Sequence, residues 1–329
     1  MITLLQAKVG MADKVDQLVV DEFRRSSILL DALAFDDAVS PGTGGSTLTY
    51  GYTRLKTPAQ AGFRALNTEY TAQVSDREAK TVDLKIFGGS FEIDRVVANT
   101  AGAVDEVNFQ LKEKIKAASN LFHYTVINGD SGVDSNAFDG LDKALVGSST
   151  EIGKTSYIDL SDTTALDANY KKMLDELDNF LAELDGKPTF LLGNSKLMTK
   201  IKAVARRAGY LTSSEDAFGR KAEGYDGIPL VDLGSFVNVG GLSVPTTAIV
   251  DTRKPNGSDI VTGLTDLYAV RLGQDGFHGV TVTGNKMINT YLPDFKTPGA
   301  VKKGEVEMVA AVALKATKAA GVLRNIKVK

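Results

Sequence analysis

The sequence contains no cysteine and no tryptophan, and only two of its 329 residues are histidine. The absence of cysteine excludes disulfide bridges, thiolate nucleophiles and cysteine-ligated zinc, and it fits a cytosolic protein. With two histidines, the chain also has little material for imidazole-based catalysis or metal binding. The composition therefore predicts a protein without a metal or cofactor and disfavours most enzyme chemistries.

Long apolar runs are missing as well. The stretch from Ile2 to Leu5 is too short for a signal peptide, and no run approaches the length of a membrane span. The formal net charge of -3 neither indicates nor excludes contact with nucleic acid. A chain of 329 residues with 43% hydrophobic content predicts a soluble protein of about two domains with a buried core.

The clearest positive feature is an extended β-hairpin. Apolar and polar residues alternate outward from Leu48 to Tyr52 and back from Val82 to Ile86. The roughly 25 residues between the arms, Leu55 to Ala79, are too polar to form a core, and a loop of this length is usually functional. Because an isolated two-stranded hairpin is marginally stable in water, we expect another subunit to cover it.

The hairpin lies between two regions of different pattern. Residues Ala12 to Ala38 predict a helix or extended arm, and Phe91 to Val97 predicts a bent strand. From Val104 to Asn128 the period becomes that of one long helix, about 38 Å at 1.5 Å per residue. Its apolar stripe consists of Val104, Val107, Leu111, Ile115, Ala118 and Phe122.

The second half of the chain predicts mixed helix and strand, and hence an α+β class. An amphipathic helix from Leu166 to Leu184 is followed by a strand, Thr189 to Leu192. Asn194 or Ser195 could cap the next helix. Six further strands are predicted at Ile228 to Leu233, Thr246 to Asp251, Leu267 to Leu272, Val280 to Thr283, Val306 to Leu314 and Gly321 to Lys327.

Two enzyme-like patterns have simpler explanations. A catalytic triad could include His123 or His278, but no partner motif accompanies either histidine, and such residues more often only pack. The glycines Gly42, Gly44 and Gly45 could indicate phosphate binding, but no strand precedes them and no Lys-Ser or Lys-Thr pair completes a P-loop. A flexible hinge is the favoured interpretation.

Two charged segments also have alternative interpretations. Asp130, Asp134 and Asp139 resemble calcium ligands, but no glutamate stands at the EF-hand position, which favours a solvated turn. The basic residues from Lys196 to Arg207 could contact DNA, or they could pair with the acidic residues from Asp175 to Glu183 or with a neighbour. The ion-pair or solvated interpretation is favoured.

Five short motifs follow the hairpin and the long helix in a characteristic order. They are Phe138-Asp139-Gly140-Leu141, Thr189-Phe190-Leu191-Leu192-Gly193-Asn194-Ser195, Gly227-Ile228-Pro229-Leu230-Val231, Glu307 to Leu314, and Lys318 to Leu323. In this order they resemble the major capsid proteins of tailed bacteriophages, which have the Hong Kong 97 type fold. No motif is specific alone, so the resemblance rests on their order and spacing along nearly the whole chain.

This resemblance implies an α+β subunit with an N-terminal arm (1–45), an extended hairpin or E-loop (46–90), a peripheral domain with the spine helix (91–154), an axial domain (155–282) and terminal peripheral strands (283–329). It implies that the hairpin and the arm each lie over a neighbouring subunit. Because only about 45 residues precede the hairpin, we expect the N-terminal scaffolding segment of many relatives to be absent and a separate scaffolding protein to replace it.

The implied function is non-enzymatic. The chain would self-assemble through pentamers and hexamers into an icosahedral head, built in the host cytoplasm and then part of the virion. The expected partners are further copies of itself, a scaffolding protein, a portal and packaged double-stranded DNA bound without sequence specificity, with no membrane, metal or cofactor. An encapsulin, a cargo-storing shell of the same fold, is the alternative, and an α+β hydrolase is a more distant one.

Contacts between subunits are expected from the hairpin and the arm, through aromatic burial and charge pairing. The predicted contact residues are Tyr52, Lys56, Phe63, Arg64 and Glu69 in the hairpin and Phe23, Arg24 and Arg25 in the arm.

Some relatives join an E-loop lysine to an asparagine of another subunit. The hairpin offers Lys56 and Lys80 for such a bond, but the stretch from Pro293 to Lys303, where the resemblance places the partner, has no asparagine. The resemblance therefore implies a shell without covalent cross-links.

Overall fold

A computed structural model of the chain describes residues 28–39, 48–72, 74–99, 106–209, 211–215, 221–237, 243–283 and 288–329. The α-helices are α1 Ile28–Ala32, α2 Arg95–Asn99, α3 Glu106–Asn128, α4 Leu141–Leu145, α5 Thr163–Ala182 and α6 Ser195–Ala208, and Thr317–Ala319 forms a 3-10 turn.

The strands, in chain order, are β1 Phe35–Val39, β2 Thr49–Thr57, β3 Asp76–Asp83, β4 Lys85–Asp94, β5 Glu151–Ile152, β6 Ile158–Asp159, β7 Phe190–Gly193, β8 Leu211–Glu215, β9 Lys221–Tyr225, β10 Ile228–Asp232, β11 Ser235–Val237, β12 Ser243–Pro245, β13 Leu264–Val270, β14 Phe277–Val282, β15 Ile288–Tyr291, β16 Val301–Leu314 and β17 Ala320–Lys327.

The first large sheet is organised around the long strand β16. Its order is β1-β14-β16-β15, and β4 also pairs with β16 over ten residues, from Lys85 opposite Ala310 to Asp94 opposite Val301. β1 joins β14 in parallel, where the ring of Phe35 lies so close to Gly279 that an added Cβ would come within 2.5 Å of it. Residues Phe35–Val39, which the sequence predicts as part of the N-terminal arm, therefore form a strand of the first large sheet.

The second large sheet has the order β5-β17-β13-β7-β10-β9-β8, with β6 also paired to β17. Its central strand β13 is buried along its whole length and runs antiparallel to both neighbours. Each large sheet takes strands from both sides of the boundary predicted at residue 282, because β14 pairs with β16 and β17 pairs with β13. The division into peripheral and axial domains stays a prediction.

Alternate residues of the second sheet face two separate hydrophobic cores. Leu192 and Tyr268 pack with the first sheet and helix α3, whereas Leu191 and Leu267 pack with helices α5 and α6. Successive side chains of a strand point to opposite faces, so one strand can serve both cores. This explains why β7 and the second half of β13, from Leu267 to Val270, are continuous apolar runs without a polar face.

Helix α3 confirms the predicted spine. Its 23 residues correspond to about 35 Å, and the buried stripe includes Leu111, Ile115 and Phe122. The Phe122 ring stacks on Phe87 of β4 at 5.4 Å and contacts Phe138 at 5.6 Å. The aromatic contacts fasten the helix across the first sheet and to the loop that follows it.

Helix α6 begins at the residue that the sequence indicated. The Asn194 side chain accepts a hydrogen bond from the Leu197 N–H, and its amide donates to the Thr265 hydroxyl at 2.7 Å. Gly209, at φ +75°, ends the helix in the left-handed conformation that glycine adopts without strain. The cap is thus also a link between α6 and β13.

A buried ionic network holds the C-terminal strand. The guanidinium of Arg324 in β17 donates to Asp142 of α4 at 2.5 Å, to Glu151 of β5 at 3.0 Å and to Asp266 of β13 at 3.0 Å. Arg253 forms a two-pronged ion pair with Asp266, at 2.5 and 2.7 Å. The two arginines hold the pKa of Asp266 below its usual value against the opposing effect of burial, so the network stays ionised.

One predicted strand is too long and another is wrong. The strand predicted from Phe91 to Val97 is confirmed as far as Asp94, but Val96 lies in helix α2, because the Asp94 carboxylate accepts the Val96 N–H at 2.7 Å and turns the chain into a helix directly after β4. The stretch from Thr246 to Asp251 forms only an isolated bridge, in which Val250 and Leu264 exchange two backbone hydrogen bonds. Alternation of apolar residues therefore did not distinguish a full strand from a short helical turn or an isolated bridge.

Candidate functional site

The most exposed element of the chain is the hairpin formed by β2 and β3. The two strands pair from Thr49 opposite Asp83 to Thr57 opposite Asp76, over about 30 Å. The pairing extends beyond the predicted end of the strands, so the connecting loop is residues 58–75 and not Leu55 to Ala79. After Asp83 the chain passes directly into β4, which pairs with β16 instead of β2.

Apolar side chains of this loop are uncovered. Phe63 is fully exposed, Leu66 is 87% exposed and Val74 is 86% exposed, and Tyr70 is also largely in solvent. Within the described ranges, these residues belong to none of the hydrophobic cores. Exposed apolar residues on one protruding segment indicate a surface that another molecule covers.

The loop has internal order despite its exposure. The guanidinium of Arg64 lies over the Tyr70 ring, 5.3 Å from its centroid, and donates to the Thr68 carbonyl at 3.2 Å. The Thr68 hydroxyl donates to the Ala65 carbonyl at 2.8 Å, and Asn67 takes a positive φ of 65°. These contacts hold the tip in one turn, which reduces the entropy cost of binding a partner.

The end of the hairpin nearest the two large sheets, residues 49–54 of β2, is called its root, and the two large sheets with their helices are called the body. The root is attached to the body through the end of β16. The Tyr52 hydroxyl donates to the Leu314 carbonyl at 3.0 Å. Arg54 donates through Nη2 to the same carbonyl and through Nε to the Lys315 carbonyl, each at 2.8 Å. Three hydrogen bonds from two side chains therefore fix the outgoing strand.

Tyr50 makes the second attachment. Its hydroxyl donates to Asp36 of β1 at 2.8 Å, and the Lys315 ammonium lies 5.4 Å from its ring centroid. Lys315 and Asp36 also approach each other at 3.8 Å. Burial raises the pKa of Tyr50, and the carboxylate of Asp36 raises it further.

The predicted contact residues have different positions in the subunit. Phe63, Arg64 and Glu69 lie in the exposed loop, where a neighbour could reach them, and Lys56 is exposed with its ammonium 3.5 Å from Asp76. Tyr52 instead bonds within its own chain. The predicted arm residues lie outside the described residues: they are Phe23, Arg24 and Arg25.

Sequence reasoning missed Leu66 and Val74 as members of the exposed surface. Both are isolated apolar residues in an otherwise polar stretch, and this contrast was visible in the sequence. In such a loop the apolar residues are the better candidates for contact with a partner, because the polar residues around them can remain hydrated.

The acidic loop after α3 does not form a calcium site. The Lys143 ammonium lies 2.6 Å from Asp130 and 2.9 Å from Asp139, in the position that a cation would take. Its hydrogen bond to Asp130 lowers the pKa of that carboxyl group. In the described part of the chain, no group of three His, Asp or Glu residues could hold a metal ion.

The two histidines do not form a catalytic arrangement in the described residues. Nε2 of His123 and both ring nitrogens of His278 are buried and have no hydrogen-bond partner there. Burial lowers the pKa of His123 to about 4. The glycines Gly42, Gly44 and Gly45 lie outside the described residues.

The basic helix α6 uses part of its charge within the chain. Lys200 donates to the Ser161 carbonyl and Arg207 to Asp167 of α5, each at 2.6 Å. The predicted partners of the basic residues lay between Asp175 and Glu183, whereas the observed partner of Arg207 is Asp167, which precedes them. No helix in the described ranges is long and apolar enough to cross a membrane.

No protein-family model and no curated protein matches the sequence, whereas solved structures match over almost its whole length. The holo-SrpI encapsulin complex of Synechococcus elongatus is similar with a TM-score of 0.62 and 14% identity, over 92% of this chain and 88% of that one. The capsid of the native GTA particle has a TM-score of 0.59 and 11% identity, over 99% and 94%. The procapsid of satellite phage P4, which includes the size determination protein Sid, has a TM-score of 0.51 and 10% identity, over 95% and 100%.

At these identities the similarity shows the fold. The chain has the mixed α+β architecture of the Hong Kong 97 type, as the order of its motifs predicted. The hairpin and the spine helix, which precede the five motifs in the predicted order, are both present.

Proposed function

We propose that this chain is the major subunit of a closed icosahedral shell, the head of a tailed bacteriophage that encloses double-stranded DNA. The observation that carries the proposal is the exposed hairpin loop, whose apolar side chains Phe63, Leu66 and Val74 are not covered by the part of the chain that the structure describes. A second copy supplies that cover in a symmetric assembly, where every subunit offers the same surface.

The energetic gain from such contacts is substantial. Complete burial of a Phe, Leu or Val side chain contributes about 1.5 to 3 kcal/mol, so three of them contribute about 5 kcal/mol or more per hairpin. A shell repeats this contact at every subunit, and its stability grows with the number of hairpins that are seated. The internal order of the loop, set by Arg64 and Tyr70, reduces the entropy that seating costs.

The fold is compatible with two kinds of shell, a phage head and an encapsulin, which differ in what they contain. The similar structures include phage-type capsids and an encapsulin. A phage head implies as partners a separate scaffolding protein, a portal and packaged DNA, with assembly in the host cytoplasm and residence in the virion. An encapsulin would contain a cargo protein, and it is the alternative that the same particles test.

The shell is proposed to be non-covalent. Of the hairpin lysines, Lys56 is exposed and Lys80 is half-buried, but the stretch from Pro293 to Lys303, where the resemblance places the partner of such a bond, contains no asparagine. Boiling purified particles in denaturing detergent should give one band near 35 kDa on a gel. A persistent ladder of multimers would show covalent links and contradict this part of the proposal.

Electron microscopy of the full chain, expressed alone and with a candidate scaffolding protein, tests the function. The decisive variant replaces residues 58–75 by Asn-Gly, a two-residue turn that suits the paired ends Thr57 and Asp76. We expect uniform shells from the unaltered chain and folded, unassembled subunits from the variant. The matched control, Gln60→Ala with Thr71→Ala, changes exposed polar residues of the same loop and should assemble normally.

Shells from the shortened variant would show that the loop is dispensable and would contradict its proposed role. Monomers from the unaltered chain under both conditions would contradict self-assembly. A discrete protein inside the particles would favour the encapsulin alternative, whereas particles that form only with the scaffolding protein would favour the phage head.

A further inference from the structure

His278 of β14 lies beneath the root of the hairpin and no side chain among the described residues hydrogen-bonds its ring. The side chain is completely buried, and neither imidazole nitrogen has a partner at full hydrogen-bond geometry there, although the Gly276 backbone lies close enough to favour the charged ring. Its ring and that of Tyr50 are nearly perpendicular, with an interplanar angle of 78° and the centroids 5.9 Å apart. Leaving a buried polar group unpaired costs about 1 to 3 kcal/mol, so an apolar residue would pack at this position more favourably.

The ring that covers His278 is also the ring that holds the hairpin root. Tyr50 connects β2 to β1 through its hydrogen bond to Asp36, and Lys315 lies against both residues. Beyond this contact, the outgoing strand is fixed by the hydrogen bonds of Tyr52 and Arg54 to the end of β16. A change at His278 therefore acts directly on one of two attachments.

The charged groups around the imidazole determine how unfavourable its protonation is. Burial lowers the pKa of His278, and the ammonium of Lys315 lowers it further, while the backbone of Gly276 opposes the shift. Titratable or charged side chains face the ring from each neighbouring element: Tyr50 of β2, Asp36 of β1, Lys315 after β16 and Asp275 before β14. A second cation beside Lys315 in this enclosed site would be strongly unfavourable without a rearrangement.

We propose that His278 is a proton-operated latch that holds the root of the hairpin at neutral pH and releases it under mildly acidic conditions. In the neutral form, Tyr50 packs over the imidazole and keeps its bond to Asp36. A proton taken from solvent leaves two outcomes: the imidazolium moves toward water and displaces Tyr50, or it attracts Asp36 away from the Tyr50 hydroxyl. Both outcomes break the same attachment.

The consequence for assembly rests on the proposed function. A loosened root changes the direction in which the loop 58–75 extends, so the seating of the hairpin on a neighbour becomes dependent on pH. The latch itself is a property of the single chain and can be measured whether or not shells form.

Hydrogen exchange of the full chain, followed by mass spectrometry from about pH 7.5 to about pH 4.5, tests the latch. Protection factors correct for the intrinsic pH dependence of exchange. Helix α6 in the same sample reports the change in global stability. We expect protection of β2 and β3 to fall on acidification at least about tenfold more than any fall that global stability imposes, and at a pH that does not follow the change in α6. His278→Gln, which cannot be protonated, should abolish the fall, and the matched variant His123→Gln should retain it.

Lys315→Met provides an independent test, because removal of the neighbouring cation should shift the loss of protection to higher pH. An unchanged hairpin in the unaltered chain, or an equal fall in His278→Gln, would overturn the proposal. If His278→Gln does not fold, an unshifted transition in Lys315→Met would overturn it. Electron microscopy of the same samples separates the two questions, since a failed latch leaves shell formation intact and a failure to assemble leaves the exchange result valid.

Discussion

The hairpin and the C-terminal strand β17 are attached to the body in opposite ways. Arg324 of β17 is nearly buried and is shared by three carboxylates of different elements. The hairpin is fixed at its root by Tyr50, Tyr52 and Arg54, and its apolar tip lies in solvent. The polar side chains of one element are satisfied within the chain, and the apolar side chains of the other remain exposed.

Under the proposed function, this difference would let one chain be both a stable subunit and a part of an assembly. Elements with many buried contacts open only with the global free energy of unfolding, whereas elements with few contacts open locally. Substitutions in the two regions should therefore affect different measurements. Those in the body change stability, and those in the hairpin change assembly or local opening.

The largest expected effect is at Arg324. Arg324→Met leaves Asp142, Glu151 and Asp266 without their shared cation and should lower the free energy of unfolding by about 3 to 5 kcal/mol, measured by urea denaturation. Arg77→Met, on the exposed strand β3, is the matched control and should change stability by less than about 0.5 kcal/mol. Equal effects at the two positions would refute the contrast between the regions.

Acid should lower the free energy of unfolding through His123. Its folded pKa of about 4 lies below the value of about 6.5 in an unfolded chain, so the unfolded state binds the proton first. The stabilisation that His123 contributes is fully present above about pH 6.5 and is lost as the pH decreases toward about 4, by up to about 3 kcal/mol. Urea midpoints across this range measure the fall, and His123→Gln should reduce it; a flat profile would contradict the buried, neutral state.

Arg54→Ala should affect only the hairpin. It removes hydrogen bonds to the Leu314 and Lys315 carbonyls, and we expect a local destabilisation of about 1 to 2 kcal/mol. Hydrogen exchange in residues 49–57 should accelerate about tenfold or more while the urea midpoint is nearly unchanged. Lys56→Ala, on the same strand but exposed, is the control; global unfolding at lower urea in Arg54→Ala would show that the hairpin is part of the core.

The smallest effect on stability is expected at the tip. Phe63→Ser with Leu66→Ser should change the free energy of unfolding by less than about 0.5 kcal/mol, because both side chains are already exposed. The same variant should fail to form shells in electron microscopy, whereas Thr71→Ser should assemble. Normal assembly of the double variant would show that the apolar tip is not the contact surface.

Much of the fold followed from local patterns. The period of two on either side of Tyr50 and Val82, the stripe of helix α3 and the cap at Asn194 depend on residues close together in sequence, and the structure confirms all three. The ends of the hairpin strands were less predictable. Arg54 opposite Glu78 carries no apolar signal, yet the pairing of the backbone continues past it.

The candidate site was predictable only in part. The exposure of Phe63 could be inferred from an apolar residue in a polar loop, but the intrachain bond of Tyr52 could not, since its acceptor Leu314 is 262 residues away. Polar alternation alone does not show whether a tyrosine faces its own body or a neighbour. The predicted contacts between subunits stay predictions that the tip variants test.

By itself, the sequence determined the hairpin, the three long helices, most of the longer strands, their order and the absence of cysteine chemistry, because periodicity and composition act through neighbouring residues and residue type. Only the tertiary structure decided that Phe35–Val39 is a strand of the body, that Lys143 occupies the centre of the acidic loop, that Arg324 joins three carboxylates and that His278 lies under Tyr50. These features join segments that are remote in the chain, and the energy of a buried charge or an unpaired imidazole is set by which of those segments folding brings together.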